Sequence, residues 1–150
     1  MKWVLCDIDG TVSDASARQY LLRNAEEKGI ALPWDLFHEA GKYDPPIQGM
    51  VDLINLLNKN YGIAFITARP EKWRAQTVQW LDHFFKFQYA LYMREKGNFE
   101  RSSVIKHAMM TKLLTAYSGD SVLMAFDDNP AVVKMYRDNG VLCLQPGEEG

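Results

Sequence analysis

The sequence predicts an α/β fold, a Rossmann-like three-layer sandwich around a five-stranded, mainly parallel sheet. Short apolar runs alternate along the chain with longer segments of helical spacing. The apolar runs are nearly continuous, as expected for parallel strands that are buried on both faces. A chain of 150 residues that is 47% hydrophobic and 24% charged has the usual size and composition of one globular domain. We therefore expect a single domain over residues 1–150.

The strands are expected in the short apolar segments Trp3–Cys6, Ile63–Ile66, Tyr89–Tyr92, Val122–Phe126 and Val141–Leu144. Helices are expected between them. One has Pro70 in its first turn and carries Trp73, Thr77, Trp80, Leu81 and Phe84 on one stripe, which is typical of a core-facing helix. Another is capped by Ser102 or Ser103, and a last one opens at Pro130 and stops at Gly140.

The first connection between strands contains residues 14–46 and is long for a single crossover. It contains a helical stretch over residues 15–28 that Gly29 stops, and a further helix is expected over residues 49–60. Long connections in compact domains tend to be functional. We therefore interpret residues 29–46 as a small insertion or lid over the sheet edge.

Composition excludes several classes of protein. The net charge of −2 and pI of about 5.9 argue against a protein that binds along the phosphates of a nucleic-acid duplex independently of sequence. No apolar run approaches the ~20 residues of a membrane span, and the first residues lack the features of a signal peptide. The two cysteines, Cys6 and Cys143, are predicted to be buried free thiols. We expect a cytoplasmic protein with no membrane partner.

The strongest local signal is the segment from Asp7 to Thr11, which directly follows the first strand. Ligands of open α/β sheets bind at the carboxyl ends of the strands. Asp7 and Asp9 are two residues apart in an extended segment, so both carboxylates can face one substrate. Two such acids can divide the work of a nucleophile and of a general acid. The alternative interpretation is an acidic turn.

A second acidic pair, Asp127 and Asp128, follows the fourth strand. Carboxylates that converge from two strand ends repel each other unless a cation holds them, and hard oxygen ligands suit Mg²⁺. The metal ligands expected from this pattern are Asp7, Asp9, Asp127 and Asp128. For Asp128, capping of the helix that opens at Pro130 is an alternative that is compatible with a metal bound by Asp127.

Three further residues are candidate phosphate ligands. Thr67 and Arg69 end the second strand at the predicted start of a helix, where backbone donors favour anions. Lys106 would bring a compact positive charge to a transferring phosphoryl group. For Arg69 the alternative is an ion pair at the surface, and for Lys106 it is a solvated lysine.

Taken together, the order Asp7-Ile8-Asp9-Gly10-Thr11, Thr67, Lys106 and Asp127-Asp128 resembles the four motifs of the haloacid dehalogenase (HAD) superfamily. Within it, the chain is similar to the 3′-phosphatase domain of bacteriophage polynucleotide kinase. Segments that carry this likeness are Lys42-Tyr43-Asp44, Tyr92–Asn98, Ala125–Asn129, Val132–Arg137 and Gly140–Cys143. No kinase P-loop motif occurs in the sequence.

The resemblance implies an Mg²⁺-dependent phosphatase with an aspartyl-phosphate intermediate and with little or no cap on its five-stranded sheet. Asp7 would be the nucleophile, and Asp9 would protonate the leaving group and then activate water, its backbone carbonyl also binding Mg²⁺. Thr67 and Lys106 would hold the phosphoryl oxygens. Arg69 would bind substrate, and Lys42 takes the place of an arginine of the phage domain.

The expected substrate is a single-stranded nucleic-acid 3′ end, with a mononucleotide or another small phosphomonoester as the alternative. A phosphoacceptor receiver domain or a binding module without activity represents a different class. Arg94 is expected to contact a substrate phosphate or to pair with Glu95 or Glu100. The aromatic side chains expected either to stack on a base or to fill the core are Trp34, Phe37, Tyr43 and Tyr92.

Overall fold

The computed structural model describes residues 1–147, and their strands form one parallel sheet. The strands are β1 (Lys2–Cys6), β2 (Gly62–Pro70), β3 (Ala90–Arg94), β4 (Ser121–Phe126) and β5 (Leu142–Leu144). Their order is β3-β2-β1-β4-β5, and every neighbouring pair is parallel. The predicted α/β class with a five-stranded sheet is thereby confirmed.

Six α-helices of the described residues connect the strands. They are α1 (Tyr20–Lys28), α2 (Trp34–Glu39), α3 (Gln48–Leu57), α4 (Arg74–Phe84), α5 (Ser102–Ala116) and α6 (Pro130–Asp138). Short 3₁₀ turns occupy Ser16–Arg18, Ala40–Tyr43 and Glu71–Trp73. Gly29 ends α1 in the left-handed conformation, as predicted. None of the helices within residues 1–147 combines the length and the apolarity needed to cross a membrane.

The core lies in two layers, one on each face of the sheet. Side chains alternate along β1, so that Trp3 and Leu5 pack against α5 and α6 while Val4 and Cys6 pack against α3 and α4. Trp80 and Leu81 of the predicted α4 stripe are buried in the second layer. Cys6 and Cys143 are free and buried, which confirms the prediction of free thiols.

Two predicted helix starts are wrong. Pro70 is the last residue of β2, where it pairs with Arg94 of β3, and its ψ of 145° is extended. Consequently Thr67 and Arg69 lie in a strand, five or more residues before the start of α4, and not at the N-terminus of that helix. Ser102 is already inside α5, whose N-cap is Arg101 and has no side-chain capping bond. A proline accepts extended backbone as readily as a first helical turn, so the sequence pattern alone did not distinguish them.

The segment 29–46 packs onto the sheet edge through α2 and the following 3₁₀ turn. Gln76 of α4 donates a hydrogen bond of 2.9 Å to the carbonyl of His38, and Trp80 donates one of 2.9 Å to the carbonyl of Asp44. Ser13, which follows β1, pairs with Pro46. The segment therefore lies beside the carboxyl ends of the strands; that it moves as a lid stays a prediction.

Candidate active site

The carboxyl ends of β1, β2 and β4 bring most of the predicted site residues together. β1 is the central strand, with β2 and β4 on either side, so the residues that follow these strands meet at one edge. Lys106, on α5, lies between two buried carboxylates from this edge. Its Nζ is 2.9 Å from Oδ1 of Asp7 and 2.6 Å from Oδ2 of Asp127. Lys106 is itself buried, so the alternative of a solvated lysine is wrong.

Three carboxylates form a compact oxygen cluster. Asp7, Asp127 and Asp128 each offer an oxygen atom that lies within 4.8 Å of the other two. The backbone N–H of Asn129 donates to Oδ1 of Asp127 at 2.9 Å and helps to orient it. The side chain of Asn129, not that of Asp128, caps α6 by accepting from the N–H groups of Ala131 and Val132. Asp128 is therefore free of the capping role considered for it.

The electrostatics of this cluster favour a bound cation. Burial raises the pKa of Asp127, and the charge of Asp7 raises it further, while Lys106 opposes the shift. Burial, and then the charge of Asp7, likewise raise the pKa of Asp128. Burial alone would lower the pKa of Lys106, but the charges of Asp7 and Asp127 raise it, so the lysine stays protonated. One ammonium group faces three carboxylates, and hard oxygen donors of this kind fit Mg²⁺.

Gly10 permits the close approach of Asp128. Its φ of +83° lies in the left-handed region, and a Cβ at this position would collide with the carboxylate of Asp128. The turn after β1 is closed by hydrogen bonds from the N–H groups of Thr11, Val12 and Ser13 to the carbonyl of Ile8. A glycine is thus required here both by conformation and by space.

Asp9 is held by two buried arginines. Nε of Arg69 lies 3.2 Å from each carboxylate oxygen of Asp9, and Nη2 of Arg69 lies 2.6 Å from Oδ1. Arg18 Nη2 also donates to Oδ1 at 2.6 Å. Burial by itself would raise the pKa of Asp9, but Arg69 and then Arg18 lower it well below its usual value. Arg69 is buried and paired with a site acid, so it does not form the surface ion pair considered as an alternative.

Arg18 and Asp44 are site residues that sequence reasoning missed. The buried carboxylate of Asp44 accepts two hydrogen bonds from Nε of Arg18, one from its Nη2, and another from Ser13 Oγ. Arg69 Nη2 lies 3.8 Å from the same carboxylate. Asp9 and Asp44 therefore share two guanidinium groups. Nothing in the local sequence marks Arg18, since its partners come from other segments.

Two buried threonines, Thr11 and Thr67, lie at the same edge of the sheet as the acids. Thr11 Oγ1 donates to Oδ2 of Asp7 at 3.3 Å. Thr67 is buried at the end of β2 and its Oγ1 accepts the N–H of Arg69 at 3.1 Å, which leaves its hydroxyl proton available to a ligand.

Lys42 and Arg94 make their contacts away from the acids. Lys42 pairs with Glu39 at 3.6 Å and lies over the ring of Tyr43. The guanidinium of Arg94 donates to the backbone carbonyls of Ala68, Asn98 and Glu100, so it fastens the loop after β3 to β2. Arg94 forms no ion pair with the carboxylate of Glu95 or of Glu100, and it contacts Glu100 only through the backbone carbonyl. The substrate-binding roles of Lys42 and Arg94 stay predictions.

Among the candidate stacking residues, Phe37 is buried, whereas Trp34 and Tyr43 are 50% and 79% exposed. A cavity of about 860 Å³ opens at the opposite end of the sheet near Trp3 and Asp120. It contains none of the candidate site residues, so cavity size does not locate the chemistry of this protein.

The family described as the polynucleotide kinase PNKP phosphatase domain matches residues 1–149 of the chain. No curated protein gives a significant match.

Solved structures share the fold. A chain of the Pnkp1/Rnl/Hen1 RNA repair complex is 22% identical with a TM-score of 0.72, and the alignment covers 98% of this chain and 42% of that one. A haloacid dehalogenase-like hydrolase from Streptococcus pneumoniae is 18% identical with a TM-score of 0.61, covering 97% and 84%. A HAD-superfamily hydrolase from Geobacter sulfurreducens is 14% identical with a TM-score of 0.63, covering 97% and 86%. The chain thus spans less than half of the length of the RNA repair chain that it matches.

Proposed function

Because this chain belongs to the family of PNKP phosphatase domains in the HAD superfamily, it is a phosphatase, and we propose that it hydrolyses polynucleotide 3′-phosphates through an acyl phosphate formed on Asp7. The observation that carries this proposal is the buried arrangement of Asp7, Lys106 and Asp127 next to Asp9. These residues would supply a nucleophile, a positive charge for the phosphoryl group and a second acid at one edge of the sheet.

In the first half of the proposed reaction, a carboxylate oxygen of Asp7 bonds to phosphorus while the bond from phosphorus to the leaving oxygen breaks. Asp9 gives its proton to that oxygen, so that an alcohol leaves. In the second half, water attacks phosphorus, Asp9 takes its proton, and the bond to Asp7 breaks. Lys106 and Thr67 would stabilise the charge on the phosphoryl oxygens.

Asp9 must be protonated in the first half of the proposed reaction, although Arg69 and Arg18 lower its pKa. A substrate phosphate brings further negative charge and competes for the same two guanidinium groups. Both effects raise the proton affinity of Asp9. We infer that the arginines hold Asp9 in place in the free enzyme and share their charge with the substrate when it binds.

The carboxylates of Asp7, Asp127 and Asp128 would hold Mg²⁺, since their oxygen atoms are close together and their negative charge exceeds that of Lys106. When bound, the metal would offset charge on the phosphate and the acids. Without the metal, only Lys106 and protonation of the acids reduce the repulsion between these carboxylates. We therefore expect activity to be lost in a chelator.

The choice of a nucleic-acid 3′ end is supported by the family match and by the likeness to a chain of an RNA repair complex. A mononucleotide or another small phosphomonoester is the rival substrate. The distinguishing experiment measures phosphate release from a 3′-phosphorylated oligonucleotide, the same oligonucleotide with a 5′-phosphate, a nucleoside 3′-monophosphate and glycerol 2-phosphate, each with Mg²⁺ and with EDTA.

We expect kcat/KM for the 3′-phosphorylated oligonucleotide to exceed that for the mononucleotide by about tenfold or more, an effect of about 1.4 kcal/mol. Negligible turnover of the oligonucleotide, with turnover of the small substrates, would contradict the proposed substrate. Stable phosphorylation of Asp7 by acetyl phosphate without release of phosphate would contradict the proposed reaction and favour a receiver domain.

A further inference from the structure

Helix α2 is attached directly to Arg18, one of the two arginines that hold Asp9. Arg18 Nη1 donates a hydrogen bond of 3.1 Å to the carbonyl of Phe37, and the guanidinium carbon of Arg18 lies 4.4 Å from the centre of the Phe37 ring. Gln76 donates to the carbonyl of the next residue, His38, at 2.9 Å. One turn of α2 is thus fastened to the charged side of the site.

Two aromatic rings extend from Phe37 towards solvent. The ring of His38 lies 5.3 Å from that of Phe37, and the indole of Trp34 stacks on His38 with 5.9 Å between centres and 21° between planes. Trp34 is 50% exposed although it belongs to this cluster. A tryptophan that is held in place on one side and open to water on the other offers a flat surface on which a base can stack.

Within residues 1–147, two buried side-chain polar atoms lack a hydrogen-bond partner, Nδ1 of His38 and Nε1 of Trp73. They belong to α2 and to the 3₁₀ turn Glu71–Trp73, which follows β2 and its site residues Thr67 and Arg69. An ion pair of 3.0 Å between Lys72 and Asp35 links these two segments. A buried polar group without a partner costs about 1–3 kcal/mol, so such atoms in native proteins usually meet a ligand or water.

From these contacts we propose that α2 and the turn Glu71–Trp73 form a subsite for the nucleoside that carries the scissile phosphate. Its base stacks on Trp34, while Nδ1 of His38 and Nε1 of Trp73 hydrogen-bond to polar atoms of its base or sugar. The subsite deepens the proposed function and rests on it. Stacking accepts every base, so we expect little preference for sequence.

The charge state of His38 is compatible with this role. Burial has the largest effect and lowers the pKa of His38, while the negative charge of Asp9 raises it. The positive charges of Arg18 and Arg69 lower it further, and the resulting pKa is about 4. The ring is therefore neutral near pH 7 and offers one donor and one acceptor without adding charge beside the arginines.

The test compares two substrates for each variant, a nucleoside 3′-monophosphate and glycerol 2-phosphate, which is an ester of a secondary alcohol without a base. For the wild type and for Trp34→Ala and His38→Ala, kcat/KM is measured with both, and their ratio gives the selectivity for the nucleoside. We expect each variant to lower this ratio about tenfold, mainly through KM, because stacking contributes about 1–3 kcal/mol per base.

Tyr117→Ala is the matched control, because Tyr117 is 46% exposed and packs on Trp3 at the opposite end of the sheet. Its ratio should equal that of the wild type. Trp34→Phe keeps a stacking ring and should retain most of the selectivity, and circular dichroism checks that each variant is folded.

Selectivity that is unchanged in folded Trp34→Ala and His38→Ala, or that falls equally in the control, would overturn the subsite. A wild type that hydrolyses glycerol 2-phosphate but neither the nucleoside 3′-monophosphate nor the 3′-phosphorylated oligonucleotide would instead overturn the proposed function. The two failures are therefore distinguishable.

Discussion

At the scale of single residues, the site has two halves with different charge balance. In one half, Asp7 and Asp127 share one buried cation, Lys106, and Asp128 lies beside them without a cation of its own among the described residues. In the other half, Asp9 and Asp44 share the guanidinium groups of Arg18 and Arg69. The second half is balanced by its own residues. The first half carries surplus negative charge in a buried position, which is costly unless a cation is added. This difference supports the proposal that the first half binds the metal and that Asp9 in the second half transfers protons.

Asp7→Asn should abolish phosphate release, because an amide oxygen is a poor nucleophile and the covalent step depends on this residue. Asp9→Asn should lower kcat by about 10²–10⁴-fold, the usual contribution of a general acid. Asp9→Asn should still fold, since Asp44 remains beside Arg18 and Arg69. Steady-state kinetics and circular dichroism check both variants. Full activity of either would contradict its assigned role.

Lys106→Met should destabilise the metal-free protein by about 3–5 kcal/mol, because it leaves Asp7 and Asp127 buried without their cation. The measurement is urea unfolding in EDTA. Lys134→Met is the matched control, since the exposed pair of Lys134 with Asp138 contributes less than about 1 kcal/mol. Similar losses in both variants would show that the buried lysine does not balance the acids.

At the scale of elements, two turns place the acids. The turn after β1 requires Gly10 so that Asp128 can approach. The turn after β4 is shaped by Asn129, which caps α6 with its side chain and donates its backbone N–H to Asp127. Because β1 and β4 are neighbours in the sheet, the two turns face each other. The acid cluster is therefore a product of sheet order and turn shape together.

Gly10→Ala should lower activity by about 10²-fold, because the new Cβ displaces the carboxylate of Asp128 and a shift of about 1 Å at a site has this effect. Gly29→Ala is the matched control. Gly29 also has a positive φ, of +66°, but has no atom within 4 Å of a Cβ. Both variants should lose about 1–2 kcal/mol of stability from the left-handed conformation, and only Gly10→Ala should lose activity. Equal activities would contradict the role of Gly10.

At the scale of the whole molecule, the acids couple stability to pH and metal. An unfolded aspartate ionises near pH 4, whereas the pKa values of Asp127 and Asp128 are raised in the folded protein. The folded state therefore holds more protons on these groups, and their ionisation costs more stability as pH rises above about 4. Asp9 acts in the opposite sense: its lowered pKa gives stability above about pH 4 that is lost as pH falls further.

We expect Mg²⁺ to raise Tm more at pH 8 than at pH 5, because metal binding requires ionised carboxylates and relieves their repulsion. The measurement is the difference in Tm with Mg²⁺ and with EDTA at each pH. The lowered pKa of His38 also makes stability depend on pH. This contribution is the same with Mg²⁺ and with EDTA at a given pH, so it cancels in the difference. An equal Mg²⁺ effect at both pH values would contradict the assignment of the metal to these acids.

Local sequence patterns predicted much of the fold and most residues of the candidate site. Short, nearly continuous apolar runs that alternate with helical segments predicted the strands and their parallel arrangement, because a strand that is buried on both faces must be apolar throughout. Parallel strands end at one edge, so acids after β1 and β4 could be expected to converge. Lys106 was found through its order relative to these acids, and no local rule distinguishes it from a solvated lysine.

Tertiary structure decided which charges pair. Arg18 and Arg69 reach Asp9 from separate segments, Asp44 joins them from the insertion, and Arg94 turns to backbone carbonyls. Whether a charged side chain faces water or another charge depends on the orientation of segments far apart in sequence, which periodicity does not report. The sequence by itself thus determined the layers and the strand ends that carry the acids, while packing of the 29–46 segment against the sheet decided how Asp9 is held.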